Sequence, residues 1–427
     1  MQLKKQKQIR ATLTAATCSL LGVQGGEAAA EAGDWDFDSA VLFYSEVDRV
    51  TAIEPVITAQ RDFGDERKLN LKMVFDSLTG ASANGATPSD QPQTFTKPSG
   101  EGSYTTDADE TPLDDTFKDF RVALSSQWEQ PLNRDYKTSF GANFSAEYDY
   151  LSLSINASLS RDFNKRNTTL SAGLSVANDT ISPDGDIPIG FSSMVVDSGQ
   201  AGFDQAFDAT RESGEDTKTT VDLIFGLTQV ISRQTLMQLS YSLSDASGYL
   251  TDPFKIISVV GSDGRPLDYR YEHRPDSRLK HGLYWQLKHH FTRDILDLSY
   301  RFYTDDWDIT SHTIDVRYRW IFDPNHFIEP HFRYYSQSEA DFYQRFFRQG
   351  EPLPEFASAD YRLGELTGIT VGLKYGLKLA NQREMSLRME YYLQSGENKD
   401  GSAPGILSEM DLFPDVEAII LQFSYNF

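Results

Sequence analysis

The sequence predicts an all-β protein: a transmembrane antiparallel up-and-down β-barrel of about sixteen strands, with short periplasmic turns and long external loops. Three observations carry that expectation. Apolar and polar residues alternate with a period of two through most of the chain. Connections between the alternating runs sort by length, and every long one falls at an odd-to-even junction. The last run, Val416 to Phe427, sets Ile419, Leu421, Phe423, Tyr425 and Phe427 on one face and Gln422, Ser424 and Asn426 on the other. A closing barrel strand needs such a lipid-facing side.

Residues 1–30 are expected to be a secretory signal peptide, removed from the mature chain. Lys4, Lys5, Lys7 and Arg10 give a basic start, Ala11 to Val23 is moderately apolar, and Ala28-Ala29-Ala30 offers small residues for cleavage. Cys18, the single cysteine, lies inside it, so the mature chain is expected to lack thiol and disulfide chemistry. Residues 31–427 then form one barrel domain. Its first runs are Asp34 to Ser45, Arg49 to Phe63, and the strand that begins near Arg67 with Leu69, Leu71, Met73 and Phe75 on one face. An aperiodic stretch follows, rich in Gly, Ser, Thr, Pro and Asp, near residues 79–115. Beyond it the alternation is regular. Tyr136, Phe140, Ala142, Phe144, Ala146 and Tyr148 face one way, against Lys137, Ser139, Asn143, Ser145 and Glu147. Further long acidic loops are expected near 180–215, 244–277, 338–360 and 395–415. Tight turns alternate with them, for example at Pro131 to Arg134, Asn164 to Asn167, Thr292 to Asp294, Asp323 to His326 and Ala380 to Arg383. Trp128, Phe291, Trp320, Tyr425 and Phe427 gather on the apolar face near the turn end, as an interfacial girdle does. A soluble β-sandwich or solenoid is the competing architecture, and it has no need of the loop sorting.

Composition excludes other classes. Mean hydropathy is −0.46, and no apolar run reaches the length of a spanning helix. The net charge of −23 becomes −26 once the signal's four basic residues and Glu27 are gone (−23 − 3), and phosphate backbones would be repelled. Acidic loops suit bridging to lipopolysaccharide through divalent cations, but calcium-loop spacing is missing and no dedicated metal site is expected. The seven histidines fall in no metal motif. Ser311, His312 and Asp315 lie close in sequence, yet His312 is out of phase with the other two. Nucleophile-elbow, dinucleotide and P-loop patterns are absent. The chain is expected not to be an enzyme and to need no cofactor.

The polar faces between Leu279 and Tyr335 are unusually charged. Lys280, Lys288 and His290 share one inward phase; Asp297 and Arg301 the next; then Asp315, Arg317 and Arg319, and Glu329, His331 and Arg333. This candidate lumen ladder reads either as cross-strand ion pairs that stiffen the wall or as a constriction that sorts solutes. Phe423, Tyr425 and Phe427 are the candidate signal for the barrel-assembly machinery.

Several loop motifs carry a family resemblance. They are Phe75 to Ser82, Pro112 to Asp119, Arg161 to Asn167, Gly248-Tyr249-Leu250-Thr251-Asp252-Pro253, Arg274-Pro275-Asp276-Ser277-Arg278 and Tyr303-Thr304-Asp305-Asp306-Trp307. On these the chain resembles the proteobacterial outer-membrane barrel family catalogued as domain of unknown function three-five-seven-zero. The resemblance implies the cell outer membrane of a Gram-negative bacterium. It also hints at a redox setting, with periplasmic redox or flavin-transfer proteins as partners, and supplies no established activity. Physically, such motifs let one loop hydrogen-bond another, so the external loops are expected to fold into a cap or partial plug, with Arg274, Asp276 and Arg278 opposite Asp305 and Asp306. The expected function is a pore or uptake channel for a small solute. The alternative is an occluded barrel that anchors partner proteins.

Overall fold

A computed structural model describes residues 35–427, apart from 197, 198, 200, 213, 380–382, 397–400, 414 and 427. The signal-peptide expectation, the turn at 380–382 and Phe427 therefore lie outside the described residues. In chain order, β1 (Trp35–Glu46), β2 (Val50–Asp62) and β3 (Lys68–Ala83) lead to a hairpin of β4 (Gln93–Thr96) and β5 (Ser103–Thr106). Next come β6 (Leu113–Pro131), β7 (Tyr136–Ala146), β8 (Tyr150–Phe163), β9 (Thr168–Ile181), β10 (Asp216–Ser232) and β11 (Thr235–Gly248). β12 (Ile256–Val260) and β13 (Pro266–Tyr271) precede β14 (Ser277–His290), β15 (Ile295–Asp305), β16 (Thr310–Asp323) and β17 (His326–Gln337). β18 (Phe346–Arg348), β19 (Leu366–Lys378), β20 (Glu384–Gly396) and β21 (Val416–Asn426) complete the chain.

Sixteen of these strands close into one antiparallel barrel; β4, β5, β12, β13 and β18 lie outside it. Closure joins β1 to β21 with Val41 opposite Phe423 and Phe43 opposite Leu421, and Asn426 donates to Asp38 across the seam at 2.6 Å. Because neighbours are antiparallel, all the long connections emerge at one end. Among the described residues the other end carries tight turns, such as Phe63 N–H to the Arg67 carbonyl at 2.9 Å and Phe291 N–H to the Asp294 carbonyl at 2.8 Å.

Alternation explains which residues face where. One phase points outward and forms an apolar belt, with Ile155 67%, Met389 57% and Val371 55% exposed. Aromatic residues rim its turn end: Trp320 and Phe322 are 6.0 Å apart, Phe63 and Trp128 5.3 Å. An apolar wall of this extent is stable against lipid and costly against water. The opposite phase lines a polar lumen, so the lumen wall needs ion pairs and hydrogen bonds where a soluble protein would pack apolar side chains.

Two strands outrun their sequence boundaries. β3 continues to Ala83 past a register shift at Gly80, whose φ of +129° lets the backbone pass the Arg49 carbonyl; a Cβ there would sit 2.1 Å from that oxygen. β11 continues to Gly248, pairing Ser247 with Ser277 and Ala246 with Arg278, although alternation fades after Ser244. Inside the stretches read as aperiodic there is order. β12 pairs antiparallel with β13 and parallel with β18, β4 pairs with β5, and Phe203–Asp208 forms one short helix.

These pieces make a cap with its own apolar clusters. Phe95 packs with Ile256 and Tyr271; Ile257 with Phe347, Ala357 and Ala359; Val260 with Phe346 and Leu407. Burial of one such large apolar side chain contributes about 1.5–3 kcal/mol, enough to order loops that lack strand periodicity. Loops are also stitched together by backbone. His273 and Ala357 exchange N–H···O bonds of 3.0 and 2.8 Å, and Phe191 N–H donates to the Tyr271 carbonyl at 3.0 Å.

Candidate functional site: the capped lumen

Beneath the cap lies a cavity of about 690 Å³. Its ceiling includes Leu250, Pro253, Trp307 and Leu363 from the loops. One side is small and polar: Ser152, Ser154 and Asn156 on β8, Ser175 on β9, and Ser240 and Ser242 on β11. The other side carries long charged side chains from β14 to β20, including Lys280, Arg301, Arg317, Arg333 and Arg388. Small residues facing large ones leave room in the barrel that a symmetric wall would fill.

The sequence-predicted ladder faces the lumen, but it is less of a continuous ladder than a set of local pairs. Near the turn end Lys288 meets Asp297 at 3.3 Å, and Arg319 meets Glu329 at 2.7 Å while stacking 4.2 Å from the ring of buried Phe327. His290 is exposed at the foot of β14, its backbone N–H donating to the Gln234 carbonyl at 2.7 Å. At mid-height Arg317 meets Asp315 at 3.4 Å, and Arg333 lies opposite Asp315 in register. Arg301 rests 5.5 Å from the ring of Tyr284. Lys280 lines the upper cavity beside Arg278 and Lys218.

His331 has a partner that alternation did not reveal. Its Nε2 is 2.9 Å from Asp315 and its Nδ1 2.8 Å from Glu390, a residue of β20. β19 stands between, and in register His331, Gly372 and Glu390 form one row. Gly372 lacks a side chain, so the Glu390 stem crosses it; a Cβ there would meet Glu390 Cγ at 2.4 Å. The signal available in sequence was a glycine in the inward phase. Arg388, 3.6 Å from Glu390, belongs to the same network and was also missed.

At the ceiling is a buried ionic knot. Glu272 accepts from Arg274 Nη2 at 3.0 Å and from the Asp252 N–H at 2.6 Å, and Ser358 donates to it. Asp360 accepts from Arg274 at 2.8 Å and from Arg362 Nε at 2.7 Å, while Arg362 also reaches Asp252 at 3.1 Å. Lys255 donates to the Ala83 carbonyl. Burial works against the Asp360 charge, but Arg362 and Arg274 outweigh it and hold the carboxyl well below the usual carboxylate range. Burial pushes the Lys255 ammonium down, against Asp252 and Asp360.

The expected loop pairing is thus realised in part. Arg278 pairs with Asp305 and stacks 4.1 Å over Trp307, whose Nε1–H donates to the Ser277 carbonyl at 2.9 Å. Asp306 accepts from the Leu279 N–H at 2.9 Å. Arg274 turns instead to Glu272 and Asp360, and Asp276 contributes its carbonyl to Gly248 N–H at 2.8 Å. The reason is distance in the fold rather than in sequence: Asp360 arrives from a different loop. At the loop rim, carboxylate oxygens of Asp119, Glu147 and Asp149 lie within 4.8 Å of one another.

Fold and lumen together define a class: a sixteen-stranded up-and-down barrel with an apolar outer belt, a charged lumen and a folded cap over one end. Within that class, the chain belongs to the family described as protein of unknown function, DUF3570, whose model matches residues 10–427. No curated protein matches the sequence. Among solved structures it is similar to the siderophore receptor PirA from Acinetobacter baumannii, at 7% identity and a TM-score of 0.42, over 85% of this chain and 53% of that one. It is also similar to a bacterial polysaccharide outer membrane secretin (8% identity, TM-score 0.43, 93% of this chain and 100% of that). A third is CdiB from Acinetobacter baumannii (10% identity, TM-score 0.45, 92% and 60%). The chain spans about half the length of the PirA receptor.

Proposed function

We propose that this protein is an outer-membrane channel or uptake pore for a small solute, with the folded cap as its gate. The observation that carries the reading is the cavity of about 690 Å³ beneath the cap, bounded by a serine-rich wall and a charged wall. A barrel serving only as an anchor gains nothing from leaving its lumen unfilled. The apolar belt supports a bilayer location, with the turn end periplasmic and the long loops external. No catalytic role is assigned. Ser311 and Asp315 face inward, whereas His312 faces outward and shares a 2.8 Å hydrogen bond with Tyr300. Phe423 and Tyr425, with Phe427 beyond the described residues, serve in this reading as the recognition strand for barrel assembly. The rim carboxylates face lipopolysaccharide.

The competing reading is an occluded barrel that anchors partner proteins, and the buried ionic knot in the cap favours it. Conductance separates the two. Full-length protein reconstituted in a planar bilayer should show discrete steps, more often open when Asp360→Asn weakens the cap. Folded barrel that stays silent in both forms would leave the anchor.

A further inference from the structure

We infer that the middle of the lumen is a binding site for a small multivalent oxyanion, a solute carrying phosphate or clustered carboxylate groups, seated against Arg301. The inference takes its biological sense from the channel reading, but it is a statement about binding.

Charge is the first ground. The chain holds 63 acidic residues against 40 basic ones, yet the cavity is lined by ten Lys and Arg and four Asp and Glu. Lumen chemistry therefore runs opposite to composition. Much of that excess is neutralised from behind, by Asp76 on Arg121 and Asp305 on Arg278. At mid-height it is not. Arg317, Arg333 and Arg388 share Asp315 and Glu390, and Arg301 lies beside Arg333. Four guanidiniums less two carboxylates leave +2 (4 − 2), before any charge on His331. Both nitrogens of that ring face carboxylates, and only a doubly protonated imidazole donates to both, which would add one more.

Arg301 is the second ground. Among the described residues it forms no ion pair with a carboxylate, and its charged and aromatic neighbours are the Tyr284 ring and Arg333. A half-buried guanidinium beside another cation, facing open volume, is costly unless something negative completes it. Guanidinium forks match the geometry of phosphate and carboxylate oxygens. Across the cavity, Ser240, Ser242 and Asn156 supply neutral donors for the ligand's far side. Walls of low dielectric on both sides strengthen each of these contacts.

Equilibrium dialysis of the full chain in detergent at low salt, with labelled inorganic phosphate and separately with citrate, tests the proposal. Saturable binding of at least one probe is expected, weakened about tenfold or more by Arg301→Gln. Arg301→Lys, which keeps charge and loses the fork, should fall between. Arg166→Gln, at a turn where it pairs with Glu66, should bind as the parent does. Phosphate alone would mark a phosphorylated solute, and citrate alone a polycarboxylate. Absence of saturable binding by either probe, or equal affinity in Arg301→Gln, overturns the inference. Binding without conductance removes the channel reading and leaves this site standing; conductance without binding does the reverse.

Discussion

Replacing Asp360 by Asn should loosen the cap while leaving the barrel intact. Asp360 is 1% exposed and accepts from two arginines brought by different loops, Arg274 at 2.8 Å and Arg362 at 2.7 Å. Asn keeps the shape and one acceptor oxygen but removes the charge. Arg274 is left with Glu272, and Arg362 with Asp252 at 3.1 Å. Removing one partner from a buried ionic network costs about 3–5 kcal/mol, and the retained oxygen argues for the lower figure. At about 1.4 kcal/mol per decade, the cap-opening equilibrium should rise by about two powers of ten. Native-state hydrogen exchange reads this directly. The Ala357 and His273 amides, which bond each other's carbonyls across the loops, should lose about a hundredfold of protection. Amides in β8 and β9 should not change, and Arg362→Lys should give an intermediate loss. Protection at Ala357 and His273 within about threefold of the parent would show that the knot does not hold the cap.

Two further outcomes follow from the same geometry. The difference in cap stability between the parent and Asp360→Asn should be constant from neutral pH down to about 4 and shrink only below it. The sign is that of a depressed carboxyl: its stabilisation is present above the unfolded value and lost as pH falls through the lower folded one. Exchange at Ala357 followed against pH checks it, and a difference that vanishes between pH 7 and 5 would contradict the assignment. On the outer belt, Ile155→Arg should destabilise the barrel in vesicles by about 2–4 kcal/mol, against about 0–1 for Tyr148→Arg at the rim. Equal costs in a urea titration would mean that the apolar wall is not embedded where its exposure suggests.

Strand alternation needs only local information, because a side chain's face follows from its parity along an extended backbone. That is why the ladder residues from Lys280 to Arg333 could be assigned inward, and why Leu421 and Phe423 could be placed outward opposite β1, from sequence. Parity says nothing about what lies across a neighbouring strand. The His331–Glu390 contact spans β19 and exists because Gly372 leaves a notch there. The cap was legible only as motifs. Ile256-Ile257 and Phe346-Phe347 are apolar pairs with no period, and their burial depends on loops that are distant in sequence.

By itself, then, the chain determined a sixteen-stranded barrel, its inner and outer faces, and the end from which its long loops emerge. All three follow from period two and connection length. Tertiary structure alone decided which loop segments pack together in the cap, that Arg274 turns to Glu272 and Asp360, and that Arg301 is left beside Arg333 without a carboxylate partner among the described residues. The physical reason is that pairing of charges depends on which strands and loops become neighbours on closure, whereas the direction each side chain faces does not.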